Sequence, residues 1–327
     1  MKKVIKCLGM MALVAVAFTS CKKDEPKSSI TVASEDLITV DMEDRAYLHD
    51  ASNHTYFEIG DRVMIFNISE TTPTESHCGV YESIGEGSNV RFVNSGYGDV
   101  AEDALDGGYY AFYPFVEPNQ NIITELNYGE NKSKFRVQAE QTYREDKVSL
   151  GDLYMAGNSN AAHLDAAVAN FQMQNIMGVL RLMPYEAAQR TVTQIQVVDN
   201  HFHLSGWVEL IIPEVNPTEL KALFNSYNTS DEWMNAANAI KNRMGYNVTE
   251  AGYSITLNVP EGVQLGTTKA NTPKFNIVLR PLALSQGFHI IFTFDNGDTK
   301  DVDLSHIRTL CIKPNTRLDQ GLNLDNF

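Results

Sequence analysis

The chain has 327 residues, with 41 acidic and 26 basic side chains and a formal net charge of −15 at pH 7. This acidic balance argues against partners such as nucleic acid or an anionic membrane surface, because clustered Lys and Arg bind those. Its four cysteines include no Cys-x-x-Cys pair, which excludes a zinc ribbon and a thioredoxin-type redox site. A chain of this length can bury a sizeable core and has room for about two domains.

The first 20 residues have the three-part plan of a secretory signal peptide. Three lysines give a positive start, residues 8–18 form an apolar run, and Phe-Thr-Ser precedes Cys21. The run is shorter than the roughly 20 apolar residues that a membrane-spanning helix needs. A cysteine in this place is typical of bacterial lipoprotein signals and predicts lipidation of Cys21, which becomes the first residue of the mature chain. The alternative is an ordinary signal peptide with an incidental cysteine.

Residues 21–45 read as a lipidated leader or tether. The Lys-Lys-Asp-Glu-Pro run at 22–26 is typical of a solvated spacer, and it also resembles the surface-export signal of Bacteroidetes lipoproteins. Two β-branched runs, at 30–32 and 37–40, predict short strands. Arg45 is the first arginine of the chain and lies in a polar stretch that suits an exposed loop.

Residues 46–160 carry many short strand signals. An apolar run at 63–66 predicts a buried strand, and an aromatic run at 107–113 predicts another that ends at Pro114. Short strands separated by Gly, Asn and Ser predict an antiparallel β-sandwich rather than a βαβ fold. We place a domain boundary at about residue 160, in a stretch rich in Ala and Asn.

Residues 161–327 predict a second β-sandwich domain with a small helical insertion. Two amphipathic patterns at 216–244 predict a pair of helices, and Gly245 is their expected stop. Strand signals then resume, and Asn296-Gly297 is the strongest hairpin signal in the chain. The fold class predicted from sequence is mainly β, with two tandem antiparallel β-sandwich-type domains.

The chain shows few patterns of catalysis or metal binding. There is no GxSxG, no HExxH and no phosphate-binding glycine loop. His201 and His203 would share one face of a strand but have no evident third ligand, so a solvated or hydrogen-bonded pair is the favoured interpretation. The residues 295–298 have calcium-loop composition but lack the closing Glu of an EF-hand, and we interpret them as a turn. We expect no enzymatic activity, no metal and no cofactor.

Two cysteines remain after the signal and the lipidation site, Cys78 and Cys311. In an exported protein they can pair as a disulfide. Two separate buried thiols are the other interpretation, and the sequence alone does not decide between them.

The order of several short motifs resembles the fimbrillin family of Bacteroidetes, the subunits of type V pili and their relatives. The motifs follow a lipoprotein signal and a leader with Arg45, and they span essentially the whole chain. They are FEIGDRV at 57–63, GYYAFYP at 108–114, GDLYMA at 151–156, FQMQ at 171–174 and LRPLAL at 279–284 before Gly287.

The resemblance implies a non-enzymatic cell-surface lipoprotein that is anchored in the outer membrane, forms part of a fimbrium if it polymerises, and serves adhesion. A trypsin-like protease would cut after Arg45 and remove the first strand, within residues 31–40. The emptied groove would accept a strand from another fimbrial subunit or a second copy, a case of β-augmentation. The tail from Thr309 is a candidate donor, although after Pro314 it is polar and Asn-rich. A host or bacterial surface ligand is also implied but not identified.

Other interpretations stay open at this point. Arg45 can be an ordinary surface arginine, and the protein can be a tip, an anchor or a non-polymerising relative rather than a stalk subunit. A surface glycan-binding lipoprotein of an outer-membrane uptake system is the alternative function. It is disfavoured because Trp207 and Trp233, the two tryptophans, fall in apolar patterns that predict burial. A hydrolase would require two carboxyl groups at glycosidase separation.

Overall fold

The structure is a computed structural model of the chain. It describes residues 29–34, 38–41, 47–48, 57–72, 75–115, 125–127, 132–145, 154–159, 161–164, 170–211, 244–246, 251–284, 287–305 and 310–327. The predicted signal peptide, Cys21, Arg45, Trp233 and nearly all of the predicted helical pair lie outside these residues.

The described residues are mostly β-strand. In chain order the strands are β1 (Ser29–Ser34), β2 (Ile38–Asp41), β3 (Tyr47–Leu48), β4 (Arg62–Ile68), β5 (His77–Ser83), β6 (Asn89–Asp99), β7 (Gly108–Tyr113), β8 (Glu125–Asn127), β9 (Lys132–Val137), β10 (Glu140–Thr142), β11 (Met155–Ser159), β12 (Asn170–Asn175), β13 (Gly178–Tyr185), β14 (Thr191–Asp199), β15 (Gly206–Ile211), β16 (Met244–Tyr246), β17 (Ser254–Gln264), β18 (Phe275–Leu279), β19 (Leu282–Leu284), β20 (Phe288–Phe294), β21 (Thr299–Asp303), β22 (Leu310–Ile312) and β23 (Thr316–Asn323). Two short 3-10 helices are also described, Lys269–Asn271 and Leu324–Asn326.

Seven strands in the first half of the fold pair in a closed circuit. Their order is β1-β12-β11-β7-β4-β5-β6, and β6 pairs back onto β1. The side chains that point into this circuit form one compact core, which includes Ile30, Val63, Tyr81, Phe92 and Phe171. Because the circuit closes, none of its seven strands presents an unpaired edge along the paired residues.

The outer face of this circuit is buried as well. In β4, Val63 and Ile65 point into the inner core, while Met64 and Phe66 belong to a second and larger core. This explains why the sequence here is a continuous apolar run instead of an alternating one, since a strand covered on both faces needs apolar side chains at every position. The aromatic run of β7 divides between the two cores in the same way.

A four-stranded sheet, in the order β16-β15-β9-β8, contributes to the second core. Phe135 of β9 stacks at 4.2 Å between ring centroids on Tyr154, which precedes β11, and at 5.7 Å on Phe112 of β7. The Tyr154 hydroxyl donates a hydrogen bond of 2.6 Å to the carbonyl of Arg136. The aromatic contacts therefore join this small sheet to the outer face of the seven-stranded circuit.

The C-terminal part is a sandwich of two five-stranded sheets. One has the order β10-β17-β14-β20-β21 and the other β18-β13-β23-β2-β3, while β19 and β22 form a separate pair. Strand β20 alternates strictly between buried and half-buried residues, as expected for a sheet with one covered face. The buried side chains of both sheets, such as Ile195, Phe292, Leu180 and Ile277, belong to the same continuous core.

The prediction of a mainly β, sandwich-type fold is confirmed. Most pairs are antiparallel, but among the described strands β1–β12, β2–β23, β10–β17 and β13–β23 are parallel. The domain boundary at about residue 160 stays a prediction. It falls between β11 and β12, which pair with each other.

The hairpin predicted at Asn296-Gly297 joins β20 to β21. Gly297 has a φ of +84°, which a residue without a Cβ adopts without steric cost, and the amide of Phe294 donates to the carbonyl of Asp298 at 3.0 Å. At the other end of the predicted insertion the sequence interpretation is wrong. Met244 and Gly245, expected to close a helix, lie in β16, where pairing with β15 overrides the local helical pattern.

The edge of β18 is closed by a side chain instead of a strand. The Nε2 of Gln141 donates to the carbonyl of Val278 at 2.8 Å, and its Oε1 accepts from the amide of Val278 at 2.9 Å. Gln141 is buried in β10, at the opposite sheet of the sandwich. Its amide thereby supplies both partners that a neighbouring backbone would give, and it ties the two sheets together at this corner.

We expect Gln141→Ala to destabilise the sandwich because the substitution leaves a buried N–H and a buried C=O without partners. Each unsatisfied group costs about 1–3 kcal/mol. Urea unfolding measures the loss, and Gln264→Ala, at an exposed position of β17, is the matched control with a change below about 0.5 kcal/mol. Equal stability of the two variants would contradict the assigned role of Gln141.

Candidate functional site

The first described strand, β1, has the sequence SITVAS and fills a slot between two other strands. It pairs antiparallel with β6, from Ser29 opposite Val93 to Ala33 opposite Asn89. On its other side it pairs parallel with β12, from Thr31 opposite Asn170 to Ser34 opposite Met173. Without β1, the strands β6 and β12 would both be open edges, and the circuit would contain a groove one strand wide.

The apolar side chains of β1 fill the interior of that groove. Ile30 and Val32 are both completely buried, as the period of two in a strand places them on one face. In the pairing register Ile30 lies opposite Phe92, and Val32 lies opposite Val90 on one side and Phe171 on the other. Phe92 also packs edge-to-face on Phe57 at 5.3 Å between ring centroids. The groove therefore has an aromatic floor.

The leader contributes a second strand to a different sheet. After β1 the chain passes to β2, which pairs parallel with β23 and antiparallel with β3. The sequence predicts one removable strand at 31–40, whereas the structure divides this stretch into β1 and β2, on two different sheets. One segment thus completes the seven-stranded circuit and extends the C-terminal sandwich.

The predicted processing sites flank these strands in sequence. Arg45 falls between Asp41, the last residue of β2, and Tyr47, the first residue of β3, and Cys21 precedes β1. Both lie outside the described residues, so lipidation at Cys21 and cleavage after Arg45 stay predictions. All of β1 and β2 lies on the N-terminal side of Arg45.

The predicted donor tail is built into the protein's own sheets. Strand β22 pairs with β19, and β23 runs between β13 and β2 with Leu318 and Leu322 buried in the second core. To act as a donor this tail would first have to leave those positions. We therefore do not assign the donor strand to it.

The histidine pair is not on a strand. The Oδ1 of Asp199 accepts hydrogen bonds from the amides of His201, at 2.7 Å, and Phe202, at 2.9 Å. This local turn replaces the predicted strand. The His203 ring packs on Tyr253 at 4.4 Å between ring centroids. Within the described residues no group of three or more His, Cys, Asp or Glu side chains is placed to hold a metal ion.

The two remaining sequence questions have partial answers. Cys78 is buried in β5. The structure describes only the backbone of Cys311, in β22, so its pairing with Cys78 stays an open prediction. Trp207, expected to be buried, is half-buried on β15.

The partners of β1 were not found by sequence reasoning. The motif at 171–174 was recognised as a strand, but nothing in its local pattern indicates that it lies beside residues 31–34. The parallel pairing joins segments about 140 residues apart in the chain, and periodicity carries no information about such pairs. In the part of the chain that the structure describes, no helix has the length and apolar character needed to cross a membrane.

No family model and no curated protein matches the chain, whereas several solved structures resemble it at low identity. A Bacteroides uniformis protein named a "putative cell adhesion protein" is 11% identical with a TM-score of 0.49, covering 91% of this chain and 95% of its own. A Bacteroides ovatus protein of the same name is also 11% identical, with a TM-score of 0.48 and coverages of 92% and 94%.

A fimbrial protein from Bacteroides ovatus is also similar. It is 11% identical with a TM-score of 0.37, and the match covers 91% of this chain but only 49% of that one. The neighbours thus include adhesion and fimbrial proteins, as the resemblance of the sequence leads one to expect. With identities of 11% and TM-scores below 0.5, the functional argument rests on the chain's own residues.

Proposed function

We propose that the protein is a non-enzymatic, lipid-anchored cell-surface subunit of the fimbrial type, whose leader strand β1 is exchanged for a strand of another subunit. Adhesion is the role that this assembly serves. The carrying observation is the place of β1. A segment that ends before Arg45 supplies an internal strand of the circuit, with two fully buried side chains.

The geometry supports exchange because β1 makes the contacts that β-augmentation requires. Backbone pairing on both sides would give affinity to any incoming strand, and the pockets of Ile30 and Val32 would select its register and side chains. An incoming strand with two apolar residues spaced two apart would satisfy the same groove.

Cleavage after Arg45 would change the thermodynamics of β1 without changing its contacts. In the intact chain β1 is tethered next to its groove, which corresponds to an effective concentration on the order of millimolar. After the cut, residues 22–45 become a separate peptide that can dissociate and be diluted. A strand from a neighbouring subunit then competes on equal terms.

The test uses soluble protein starting at Lys22, without the lipid anchor, treated briefly with trypsin. We expect the new N-terminus to be Ala46 by mass spectrometry, and a ladder of assemblies to appear on an unboiled gel. The matched control is Arg45→Ala, which keeps β1 and β2 but removes the cleavage site.

The control should remain monomeric after the same trypsin treatment. A first cut at another position, or cleavage after Arg45 that leaves only monomer, would overturn the strand-exchange proposal. A ladder from the Arg45→Ala variant would overturn the role of Arg45 specifically.

A further inference from the structure

A solvent-open cleft lies at one end of the C-terminal sandwich. Its volume is about 670 Å³, within the range of roughly 300–1,000 Å³ that is usual for small-ligand sites. Its walls come from three places: the residues that follow β10, the turn between β13 and β14, and the connection from the end of β17 to β18. Connections at the ends of a sandwich are where such folds carry binding sites.

The cleft is lined mainly by polar side chains of both hydrogen-bonding types. Glu145, Gln189, Gln264 and Lys274 are exposed there, and none of the four side chains is hydrogen-bonded or ion-paired to another described residue. Together they offer two amides, which both donate and accept, one acceptor and one donor. The opposite charges of Glu145 and Lys274 cancel, so the site favours neither anions nor cations by net charge.

One aromatic ring adds an apolar surface to this lining. Tyr143, half-buried, borders the cleft and packs on Phe275 at 5.1 Å between ring centroids. A ring fixed in this way can be covered by the C–H face of a sugar, while the surrounding amides and carboxylate bond the hydroxyl groups.

The walls of the cleft are held in place by buried contacts. A Cβ on Gly266 would overlap the backbone of Asn271, which shows how closely these two segments pack. The amide of Gly266 donates to the hydroxyl of Thr272 at 3.1 Å, and that hydroxyl donates in turn to the carbonyl of Pro184. A binding site with pre-positioned walls loses less entropy when a ligand binds.

The turn that carries Gln189 is anchored by an ion pair. The carboxylate of Glu186 accepts from Arg190 Nε at 2.9 Å and Nη2 at 2.6 Å, and these bonds hold the pKa of Glu186 below its usual range. Arg190 also lies 3.7 Å over the ring of Phe294. Between them Gln189 has a φ of +51°, a left-handed conformation that costs a non-glycine residue about 1–2 kcal/mol. The anchored turn holds Gln189 in this conformation at the cleft.

We propose that this cleft binds a neutral oligosaccharide. Balanced charge, paired amide groups and one stacking ring match a ligand with many hydroxyl groups and apolar C–H faces, and the open side lets a longer glycan continue into solvent. An apolar ligand would find little apolar lining, and a phosphorylated ligand would meet Glu145. None of the lining residues belongs to β1, β6 or β12, so this proposal is independent of strand exchange.

The test is calorimetric titration of the full soluble chain carrying Arg45→Ala, which removes strand exchange from the experiment. The probes are linear hexasaccharides of glucose, mannose, xylose and N-acetylglucosamine. We expect at least one to bind with a Kd of about 1 mM or tighter, and Glu145→Ala combined with Gln264→Ala to weaken it at least tenfold. The matched control is Glu86→Ala, at an exposed position outside the cleft.

Two results would overturn the proposal. One is the absence of binding by all four probes at about 10 mM sugar. The other is binding that the double substitution leaves unchanged or that Glu86→Ala weakens equally. Both substituted positions in the cleft are exposed, so the thermal unfolding midpoint of the double variant should match that of the parent and thereby exclude a folding defect.

Discussion

Ile30→Ala is expected to lower the free energy of unfolding by about 2–5 kcal/mol, the usual cost of truncating a buried Ile. The side chain is fully buried opposite Phe92 in the inner core, and the strand that carries it closes the circuit. The loss is measured by urea unfolding of the uncut protein. Because the contact lies between β1 and its groove, the same substitution should also speed the release of the leader after cleavage.

The matched control for Ile30→Ala is Ile59→Ala. Ile59 is 67% exposed, in the connection before β4, and its truncation should change stability by less than about 0.5 kcal/mol. If Ile30→Ala were as mild as Ile59→Ala, β1 would contribute little to the fold, and the groove described above would not be its binding site.

Gly157→Ala is the second substitution with a large expected effect. A Cβ on Gly157, in β11, would overlap the carbonyl of Gln172 in β12 and lie 3.0 Å from the Sδ of Met173. Overpacking of this kind usually costs about 1–3 kcal/mol and occasionally more. We expect the upper end, since the obstruction is backbone that cannot rotate away. The displaced strand, β12, is also one of the two neighbours of β1.

Gly85→Ala provides the control for this substitution. Its added Cβ would lie 3.6 Å from a methyl group of Val90, an ordinary van der Waals contact. Thermal unfolding should show a large decrease in Tm for Gly157→Ala and almost none for Gly85→Ala. An unchanged Tm for Gly157→Ala would mean that β11 and β12 do not approach as closely as described.

Local features of the fold followed directly from the sequence. The runs in β4 and β7 were predicted as buried strands, because a strand covered on both faces needs apolar residues at every position. The Asn296-Gly297 turn was predicted because few other dipeptides adopt its conformation without strain. In each case a few adjacent residues carry the whole signal.

Features set by distant contacts did not follow from the sequence. The helix pattern that ends at Met244 gave way to pairing with β15, and the strand expected at His201 gave way to the turn capped by Asp199. The partners of β1, and the walls of the cleft beside Tyr143, are assembled from segments far apart in the chain. No local period encodes such neighbours.

The most direct test of the account is whether β1 can be replaced. Protein starting at Lys22 and cut after Arg45 is incubated with an isotope-labelled peptide spanning residues 29–41, and the complexes are weighed by native mass spectrometry. The account predicts that the cut protein releases its own leader and takes up the labelled peptide, whereas uncut Arg45→Ala protein takes up none. A cut protein that keeps its leader, or loses it without taking up the peptide, would contradict the claim that β1 is an exchangeable strand.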